Sequence, residues 1–517
     1  MDYRGVCIVG TVSKHSNDDA KKATVGFVPL RRVVFVFACL VVCCMVIPSH
    51  AQDFHFDSTI SKKVLENYLN RSIHYTELLH YDINAAVDRH GGNPRDNIRA
   101  ILNMGAKYVG RSIMMWGSEE DLSQYTPWLA NAKRMIDTMH SVDPDIIFEA
   151  AEFEIIDQQV NLLDVPAAVF QTFGQPVVTR KFNYNAMLFS SGSHSMGSGQ
   201  VPDMSKLEAR MYYYFLACNY IDIGIEAFHF GQVGLMTQAD PGYTNWIDLM
   251  TKVRAYGKQH ARRHLVLCNA HTAGGNYVVN GKTIFDVNAF PMRIEQLGTT
   301  CCKGQLQVGY SDALFGKSKG GITPSGWSCA YLPWLAEFDN YGGSTAGVSS
   351  TGTIFIWGYD EITWIAIQSV ADRSAWIRYA KNWMAVNDSS AHLAMPGSRV
   401  LTHGPASSPN WYWSNNKSTA CPKGFDTEDS IKAIWGPLTT ANHPMLVSVS
   451  FGTAASHHRV SIFTVSGKLV AKLNTSKSEG DIDKNEIAKL QLKKGIYLYA
   501  TTTSSGNVLS KKFMIYQ

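Results

Sequence analysis

The sequence has little charge of either sign, and the charged residues are scattered along it. They make up 17% of the 517 positions, and the formal net charge is +4. A chain without a basic stripe or a strong field lacks the electrostatic footprint of a nucleic-acid-binding protein. Walker-type phosphate loops and Cys-x-x-Cys pairs are also missing, which disfavours phosphate chemistry and a structural zinc site. The sequence therefore predicts no cofactor, no bound metal and no nucleic-acid partner.

A long apolar run occurs near the start, at residues 33–47, directly after Arg31 and Arg32 and shortly before Ala51. The run is too short to span a bilayer comfortably, and its flanks have the layout of an export signal. We interpret residues 1–51 as a signal peptide with an N-terminal extension, with translation starting nearer Leu30. The mature protein is then expected to be secreted or held at the cell surface, after passage through the periplasm.

Ten cysteines are present, of which six follow residue 51. Export takes these six into an oxidising compartment, where disulfides are permitted. Cys218 and Cys268 lie in apolar sequence and are expected to be buried free thiols. The cysteines in loop-like sequence are expected to pair, and they are Cys301, Cys302, Cys329 and Cys421.

Strand-like and helix-like segments alternate from about residue 58 to 385, a pattern typical of βαβ units around a parallel sheet. We expect a leading helix over 58–79, a first strand over 108–116, a strand over 177–189 and a last strand over 353–364. No G-x-G-x-x-G follows an early strand, so a (β/α)8 TIM-like barrel over 52–395 is favoured over a doubly wound sheet. Residues 396–445 are predicted to be a loop-rich extension that packs on the barrel or links it onward.

Three apolar, strand-like runs contain or end in carboxylates and aromatic residues, at 146–154, 225–232 and 354–361. A strand that only fills a core has no use for an ionisable group, because burying an unpaired charge is costly. Acids at the carboxyl ends of strands are how a (β/α)8 barrel builds a polar pocket. The candidate catalytic residues are Glu152, Glu154, Glu226, Asp360 and Glu361.

Two carboxylates about 5 to 10 Å apart are the usual machinery of glycoside hydrolysis. If 108–116 is the first strand, the strand with Glu152 and Glu154 flanks it on one side. The strand with Asp360 and Glu361 flanks it on the other, so one acid from each strand forms the predicted pair. Glu226 opens its strand, and is either an acid/base on strand four or a buried ion-pair member.

Further polar and aromatic residues lie near the predicted strand ends, where they could bind sugar hydroxyls, tune an acid or stack on a ring. The candidate substrate-binding residues are Arg111, Trp116, His229, Gln232, Asn269, His271, Trp327 and Trp357. Arg111 is also a possible ion-pair partner of Glu226, and Glu337 and Asp339 are reserve catalytic candidates. With its acid- and aromatic-rich strand ends, the central region resembles glycoside-hydrolase barrels. The resemblance implies a hydrolase of polysaccharide or oligosaccharide.

Two other functions stay open. A catalytically inactive barrel could bind glycan at the cell surface without cleaving it. A metal-dependent amidohydrolase normally carries His-x-His at the end of its first strand, and 108–116 has none. His229, His271 and Asp286 could still meet around a metal ion.

The tail has a different pattern, with alternating apolar positions and turn residues at 459–470, 492–499 and 510–515. This order of motifs resembles the C-terminal sorting domain of type IX secretion cargo in Bacteroidota. The resemblance covers residues 446–517 and implies a small all-β sandwich. It also implies that the outer-membrane secretion machinery is a partner of this domain.

Overall fold

The computed structural model describes residues 52–116, 121–191, 194–298, 303–341, 356–402 and 410–438, together with the backbone of four later strands. The predicted signal peptide lies outside the described residues, and so do Cys301 and Cys302. In the described part of the chain, no helix has both the length and the apolar character needed to cross a membrane.

A curled ten-stranded sheet forms the centre of the protein. Its strands are β1 (Ser72–Tyr75), β2 (Tyr108–Met115), β3 (Ile147–Glu152), β4 (Ala227–His229), β5 (Leu267–His271), β6 (Val287–Pro291), β7 (Trp334–Glu337), β8 (Ala391–Leu393), β9 (Met395–Val400) and β10 (Trp411–Trp413). From β1 to β8, each strand pairs in parallel with the next strand in sequence. Strand β9 follows β8 directly, and only Ala394 lies between them. The order across the sheet is β8-β7-β6-β5-β4-β3-β2-β1-β9-β10.

Residues 391–400, which include β8 and β9, connect β7 to β1. β8 pairs in parallel with β7, and β9 pairs in parallel with β1. Between them, the backbone N–H of Ala394 donates to the carbonyl of Ala336 at 3.0 Å. One short stretch of chain therefore borders both β7 and β1. The sheet also continues past residue 395, where the sequence predicts the loop-rich extension to begin.

Helices separate most of the strands. They are α1 (Lys62–Leu69), α2 (Pro94–Met104), α3 (Tyr125–Val142), α4 (Ala167–Thr172), α5 (Leu207–Ile223), α6 (Val233–Met236), α7 (Thr244–His260), α8 (Glu361–Ala366), α9 (Val370–Asn387) and α10 (Glu428–Trp435). Side-chain caps fix several starts: Ser61 accepts from Val64 N ahead of α1, and Ser369 accepts from Asp372 N ahead of α9. Helix α2 ends at Gly105, which adopts the left-handed conformation that favours glycine there.

Shorter elements fill the connections. Four 3-10 helices occur at Leu78–His80, Leu122–Gln124, Gln158–Leu162 and Tyr184–Met187. Two-residue strands occur at Ser195–Met196, Gly199–Gln200, Val278–Val279, Lys282–Thr283, Glu295–Gln296, Gly304–Gln305, Gly321–Ile322 and Ser328–Cys329.

The two faces of the sheet belong to different cores. On the outer face, Phe148 and Phe228 share one large cluster with residues of α3 and α5 such as Ile136 and Tyr220. On the inner face, one apolar residue from each of several strands meets the N-terminal segment. These inner residues include Tyr108, Ile147, Ala227, Leu267 and Leu335, covered by Phe54, Phe56 and helix α1. The inner face is therefore apolar at the amino ends of the strands.

Two predicted elements near the ends of the sheet are wrong. The leading helix over 58–79 stops at Leu69, and residues 72–75 form β1, so 108–115 is the second strand. Ile73 and Tyr75 are fully buried between two parallel neighbours, a burial that overrides helix propensity. The strand predicted over 177–189 is irregular chain with a 3-10 turn, since its exposed Val177 and Val178 have no sheet to join.

The last predicted strand, over 353–364, is also wrong in its described part. Ile356 and Tyr359 bridge a tight turn, and helix α8 begins at Glu361. Asp360 is the N-cap of this helix, because its carboxylate accepts from Thr363 N at 2.7 Å. Cys329 and Cys421, which were expected to pair, are free thiols, as are Cys218 and Cys268.

The described strands of the tail form one four-stranded antiparallel sheet. They are β11 (His458–Thr464), β12 (Leu469–Thr475), β13 (Gly495–Thr502) and β14 (Val508–Ile515). Their order is β12-β11-β13-β14, with every neighbouring pair antiparallel.

The amino end of β4 is held by a buried ion cluster. Glu226 is fully buried and accepts from Arg262 at 2.6 Å and from Arg263 at 2.7 and 2.8 Å. The Arg263 guanidinium also lies 3.9 Å from the ring centre of Phe56, at the covered end of the inner core.

We expect Glu226→Gln to lower the free energy of unfolding by roughly 3 kcal/mol, because it leaves two arginines without their buried counter-charge. Urea denaturation measures the effect. The control is Asp137→Asn, which breaks the exposed pair with Lys133 and should change stability by less than about 1 kcal/mol. Equal effects in the two variants would contradict a structural role for Glu226.

Candidate active site

Polar side chains converge on the inner face of the sheet, beyond its apolar layer. Most strands contribute one or two of them, and we call this group the inner-face cluster: His74, Arg111, Glu149, His229, Asn269, His271 and Glu337. All are buried except His271, whose side chain is 14% exposed. His229, His271 and Glu337 are the last residues of β4, β5 and β7, so the cluster lies toward the carboxyl ends of these strands.

A bulge in β2 aims Arg111 into the cluster. The pairing of β2 with β3 shifts register between Val109 and Ile113, and Arg111 has a φ of 54°. Such a backbone conformation costs a non-glycine residue about 1 to 2 kcal/mol, and persists only where the surroundings enforce it. The neighbouring Gly110 leaves room for His74, since a Cβ there would lie 2.4 Å from the histidine ring.

The guanidinium of Arg111 connects three members of the cluster. Its Nη2 donates to the Glu337 carboxylate in a buried ion pair, and lies 3.1 Å from His271 Nε2 and 3.5 Å from His229 Nε2. Burial alone would raise the pKa of Glu337. The positive charge of Arg111, together with the effects of His74 and His271, outweighs burial and holds that pKa well below its usual range. Glu337 is therefore a carboxylate kept ionised inside the protein.

A chain of hydrogen bonds supports this ion pair from below. Glu149 accepts from Tyr108 Oη at 2.6 Å, from Asn269 Nδ2 at 2.5 Å and from the backbone N–H of Arg111 at 2.9 Å. The amide oxygen of Asn269 lies 2.5 Å from His229 Nδ1, so this ring nitrogen donates and Nε2 faces Arg111. Burial, and then the charge of Arg111, lower the pKa of His229 well below its usual value. The histidine is therefore neutral.

Beyond Glu337, a second group of charges joins the ends of β6, β7 and β9. Asp339 Oδ2 lies 3.5 Å from Arg293 Nη1, and Asp339 Oδ1 lies 3.5 Å from Arg399 Nη2. Glu361 accepts from the backbone N–H groups of Arg293 at 2.6 Å and Asp339 at 3.0 Å, which fastens the end of β6 to that of β7. Burial raises the pKa of Asp360 to about 6 and that of Glu361 to about 7.

The structure separates Glu152 and Glu154 from the cluster. Side chains alternate along a strand, so Glu149 faces inward while Glu152 faces the outer helices. Glu152 is buried beside a cavity of about 30 Å³ lined by Tyr212 and Tyr213, and neither of its oxygens has a hydrogen-bond partner among the described residues. Burial raises the pKa of Glu152 well above its usual value. Glu154 is held by Gln232, through the backbone N–H at 2.8 Å and Nε2 at 2.9 Å.

The remaining sequence candidates are spread over the sheet. Arg111, His229, Asn269 and His271 meet in the cluster. Trp116 lies beside it, with its ring 5.1 Å from that of Phe153 in an edge contact. Trp357 lies in the tight turn before α8, where its backbone N–H donates to Gln296 Oε1 at 3.0 Å. Trp327 donates to the carbonyl of Ile60, near the opposite end of the sheet.

Glu226 also lies at the opposite end. Its arginine partners are Arg262 and Arg263, whereas Arg111 pairs with Glu337. Two cluster members, Glu149 and His74, were not singled out from the sequence. Glu149 precedes the acids that end its strand, and His74 fell inside the segment predicted as a helix. Glu149 lies two residues after Ile147, and side chains two apart on a strand face the same side. This alternation is the signal in the sequence that could identify Glu149.

Three possible metal ligands meet in the cluster. One ligand atom each from His229, His271 and Glu337 lie within 4.8 Å of one another. The guanidinium of Arg111 already lies among these atoms, and its charge would repel a divalent ion there. The donor set therefore does not fit a metal. Asp286, the third predicted ligand, instead pairs with Arg254 at 3.0 Å and precedes β6.

Comparison with known proteins identifies the tail. Residues 444–516 match the family model of the secretion system C-terminal sorting domain, which confirms the resemblance seen in the sequence. Such a domain implies export through the secretion machinery to the cell surface or the medium. No curated protein matches the chain.

Glycoside hydrolases are among the solved structures that resemble this chain. A calcium-binding mutant of β-glucuronidase 2 from Bacteroides uniformis aligns with a TM-score of 0.31 and 8% identity, over 86% of this chain and 45% of the glucuronidase. Cyclic α-maltosyl-(1→6)-maltose hydrolase from Arthrobacter globiformis aligns at 0.37 and 10%, over 86% of this chain and all of the hydrolase. A debranching enzyme from Nostoc punctiforme aligns at 0.36 and 9%, over 87% of both chains. This chain thus spans less than half of the glucuronidase, and similarities at this level do not assign a reaction.

The raised pKa of Glu361 makes stability depend on pH. Between pH 4.5 and 7 the folded state binds this proton more tightly than the unfolded chain, so the free energy of unfolding falls as pH rises. We expect the fall due to Glu361 to be on the order of 3 kcal/mol across that window. Urea denaturation at several pH values should show a shallower slope for Glu361→Gln than for the wild type. Identical slopes would contradict the assignment, and Glu295→Gln at a half-buried position is the control.

Proposed function

We propose that this protein is an exported glycoside hydrolase whose active site is the inner-face cluster. The observation that carries the proposal is the ionised Glu337 at the carboxyl end of β7, paired with Arg111 and 3.6 Å from His271. A carboxylate kept ionised beside a partly exposed histidine has the properties of a nucleophile or general base. The sorting domain at 444–516 supports export of such an enzyme toward a glycan outside the cell.

We also propose that the curled sheet is a (β/α)8 barrel. Support comes from residues 391–400, which border both β7 and β1, and from helices between most of the parallel strands. Active sites of such barrels lie at the carboxyl ends of the strands. The inner-face cluster and Asp339 lie on this side, whereas Glu226 and its arginines lie on the other.

The proposed catalytic pair is Glu337 with Asp339. Residues two apart on an extended strand lie on the same face, with Cα atoms about 7 Å apart. Carboxyl groups carried on Cα atoms this far apart can reach the separation of about 5 to 10 Å that glycosidases use. Glu337, held ionised by Arg111, attacks the anomeric carbon or takes a proton from the attacking water. Asp339, just beyond the end of β7, gives its proton to the glycosidic oxygen of the leaving group.

The proposal assigns no catalysis to the five carboxylates favoured by the sequence. Glu152 faces the outer layer, and Glu226 is paired at the far end of the sheet. The carboxylates of Glu154, Asp360 and Glu361 are occupied by backbone N–H groups at element ends. These three acids instead position the turns around the site.

A catalytically inactive barrel that binds glycan is the second candidate. The pairing of Glu337 and Asp339 with arginines favours this candidate, because such ion pairs occur in stable polar cores as well as in active sites. A binder retains affinity for its glycan but releases no new reducing ends.

We expect Glu337→Gln to lower reducing-end release at least 100-fold, because it removes the carboxylate that acts on the sugar or the water. The assay uses the purified protein on a panel of plant, algal and host glycans. The matched control is Glu226→Gln, the same change at another buried glutamate that is paired with arginine.

Comparable losses in the two variants would attribute the effect to folding and count against Glu337. Near-ultraviolet circular dichroism of both variants shows whether the tertiary packing survives. If the wild type binds one glycan of the panel but releases reducing ends from none of them, the result would favour the binding barrel.

A further inference from the structure

Arg399, on β9, is a buried arginine with unsatisfied donors. Its residue is 4% exposed, and its Nη2 donates to Asn340 Oδ1 at 2.8 Å and lies 3.5 Å from Asp339 Oδ1. Its Nε and Nη1 are buried and have no acceptor in the described part of the chain. A buried donor left without a partner costs the full desolvation penalty of that group. The arrangement is therefore unfavourable as it stands.

Two other arginines have a partner for each guanidinium nitrogen, whereas Arg71 and Arg111 each keep one buried nitrogen without a partner among the described residues. Arg373 is also 4% exposed, and its three guanidinium nitrogens donate to backbone carbonyls. Likewise, the nitrogens of Arg263 bond to Glu226 and to the hydroxyl of Tyr68. Within the described part of the chain, Arg399 is the arginine with two such buried nitrogens, and the others have at most one. The vacant donors of Arg399 call for a different explanation.

The surroundings of Arg399 add to its need for an anion. Arg111 has a buried Nε that also lacks an acceptor among the described residues, and the two arginines are close enough to affect each other electrostatically. Burial, and then the charge of Arg111, lower the pKa of Arg399 to about 10. Both side chains border the proposed catalytic pair, Arg111 at Glu337 and Arg399 at Asp339.

We propose that this site takes a sugar that carries an anionic group, a carboxylate or a sulfate, and that Arg399 binds that group through its vacant N–H donors. The guanidinium is planar and permanently charged, and it matches both oxyanions through paired hydrogen bonds. The inference rests on the proposed function, because it names the substrate class of the same site. Its core claim concerns binding, so it can be tested apart from hydrolysis.

The experiment compares polymers that differ only in their charge. One arm uses polygalacturonate and its carboxyl-reduced form, and the other uses chondroitin sulfate and its desulfated form. Isothermal titration calorimetry measures binding of each to the wild type, Arg399→Lys and Arg399→Met. We expect the charged member of one arm to bind at least 10-fold more tightly than its reference. Arg399→Met should lose this preference, and Arg399→Lys should retain part of it.

Stability separates a ligand-binding role from a structural one. Because two of its nitrogens have no partner among the described residues, replacing Arg399 by Met should lower the urea midpoint much less than the loss of a fully bonded arginine does. Arg373→Met is the matched control, and should lower the midpoint clearly since it removes a satisfied buried arginine. A large drop for Arg399→Met, similar to that for Arg373→Met, would overturn the proposal.

The outcomes also separate this proposal from the hydrolase assignment. Charge-selective binding that depends on Arg399, without release of reducing ends, supports the anion site and counts against hydrolysis. Hydrolysis of a neutral glycan with no preference for charge overturns the anion site and leaves the hydrolase standing. Absence of charge-selective binding in both arms overturns the anion site as well. Whichever arm responds identifies the group as carboxylate or sulfate.

Discussion

The ion pair between Arg111 and Glu337, inside the curl of the sheet, is the interaction on which the surrounding structure depends. Two charges removed from water pay a large desolvation penalty, and they are tolerated only if their remaining donors and acceptors are engaged. The strand bulge, the left-handed backbone of Arg111 and the absent side chain at Gly110 all serve to bring the guanidinium across to β7. The chain from Glu149 through Asn269 to His229 then fixes the surroundings of the pair. Such an arrangement is more elaborate than core packing requires.

The alternation of side chains decides which acids join this arrangement. In β3, Ile147 and Glu149 face the inside of the curl, whereas Phe148 and Glu152 face the helices. A parallel sheet covered on both faces gives a nearly continuous apolar run, so hydrophobicity does not reveal which set of residues faces inward. The position of an acid at the end of a strand is therefore only half of the information needed. The other half is whether its side chain points to the same face of the strand as the residues that fill the inner layer.

Much of the fold could be predicted from the sequence, since long periodic segments specify their own element. The strand expected over 108–116 is observed at 108–115. Strand β1 was missed because four residues directly after a helix carry almost no periodic signal. At the site, the histidines and Arg111 were found as polar residues of strand ends. Glu337 was only a reserve candidate, because Gly- and Ser-rich sequence obscures the strand before it. The turn that makes Asp360 a helix cap depends on Gly358 with a φ of 82° and on Thr363, neither of which forms a pattern.

The two ends of the sheet handle buried charge in opposite ways, and this contrast separates structure from function. At the amino end, Glu226 accepts hydrogen bonds from Arg262 and Arg263, and each guanidinium nitrogen of Arg263 has a partner. At the carboxyl end, Arg399 retains donors without acceptors, although neighbouring strands carry carboxylates. A sequence selected for stability alone would fill such a position with an apolar side chain, since well-packed hydrophobic residues often match or exceed a buried ion pair in stability. Among the arginines of the described residues, Arg399 has the most buried unpaired nitrogens, and it lies on the side of the sheet where a substrate would enter. A ligand that supplies acceptors at this position would form the hydrogen bonds that Arg399 does not make in the folded protein alone, and their free energy would contribute to binding.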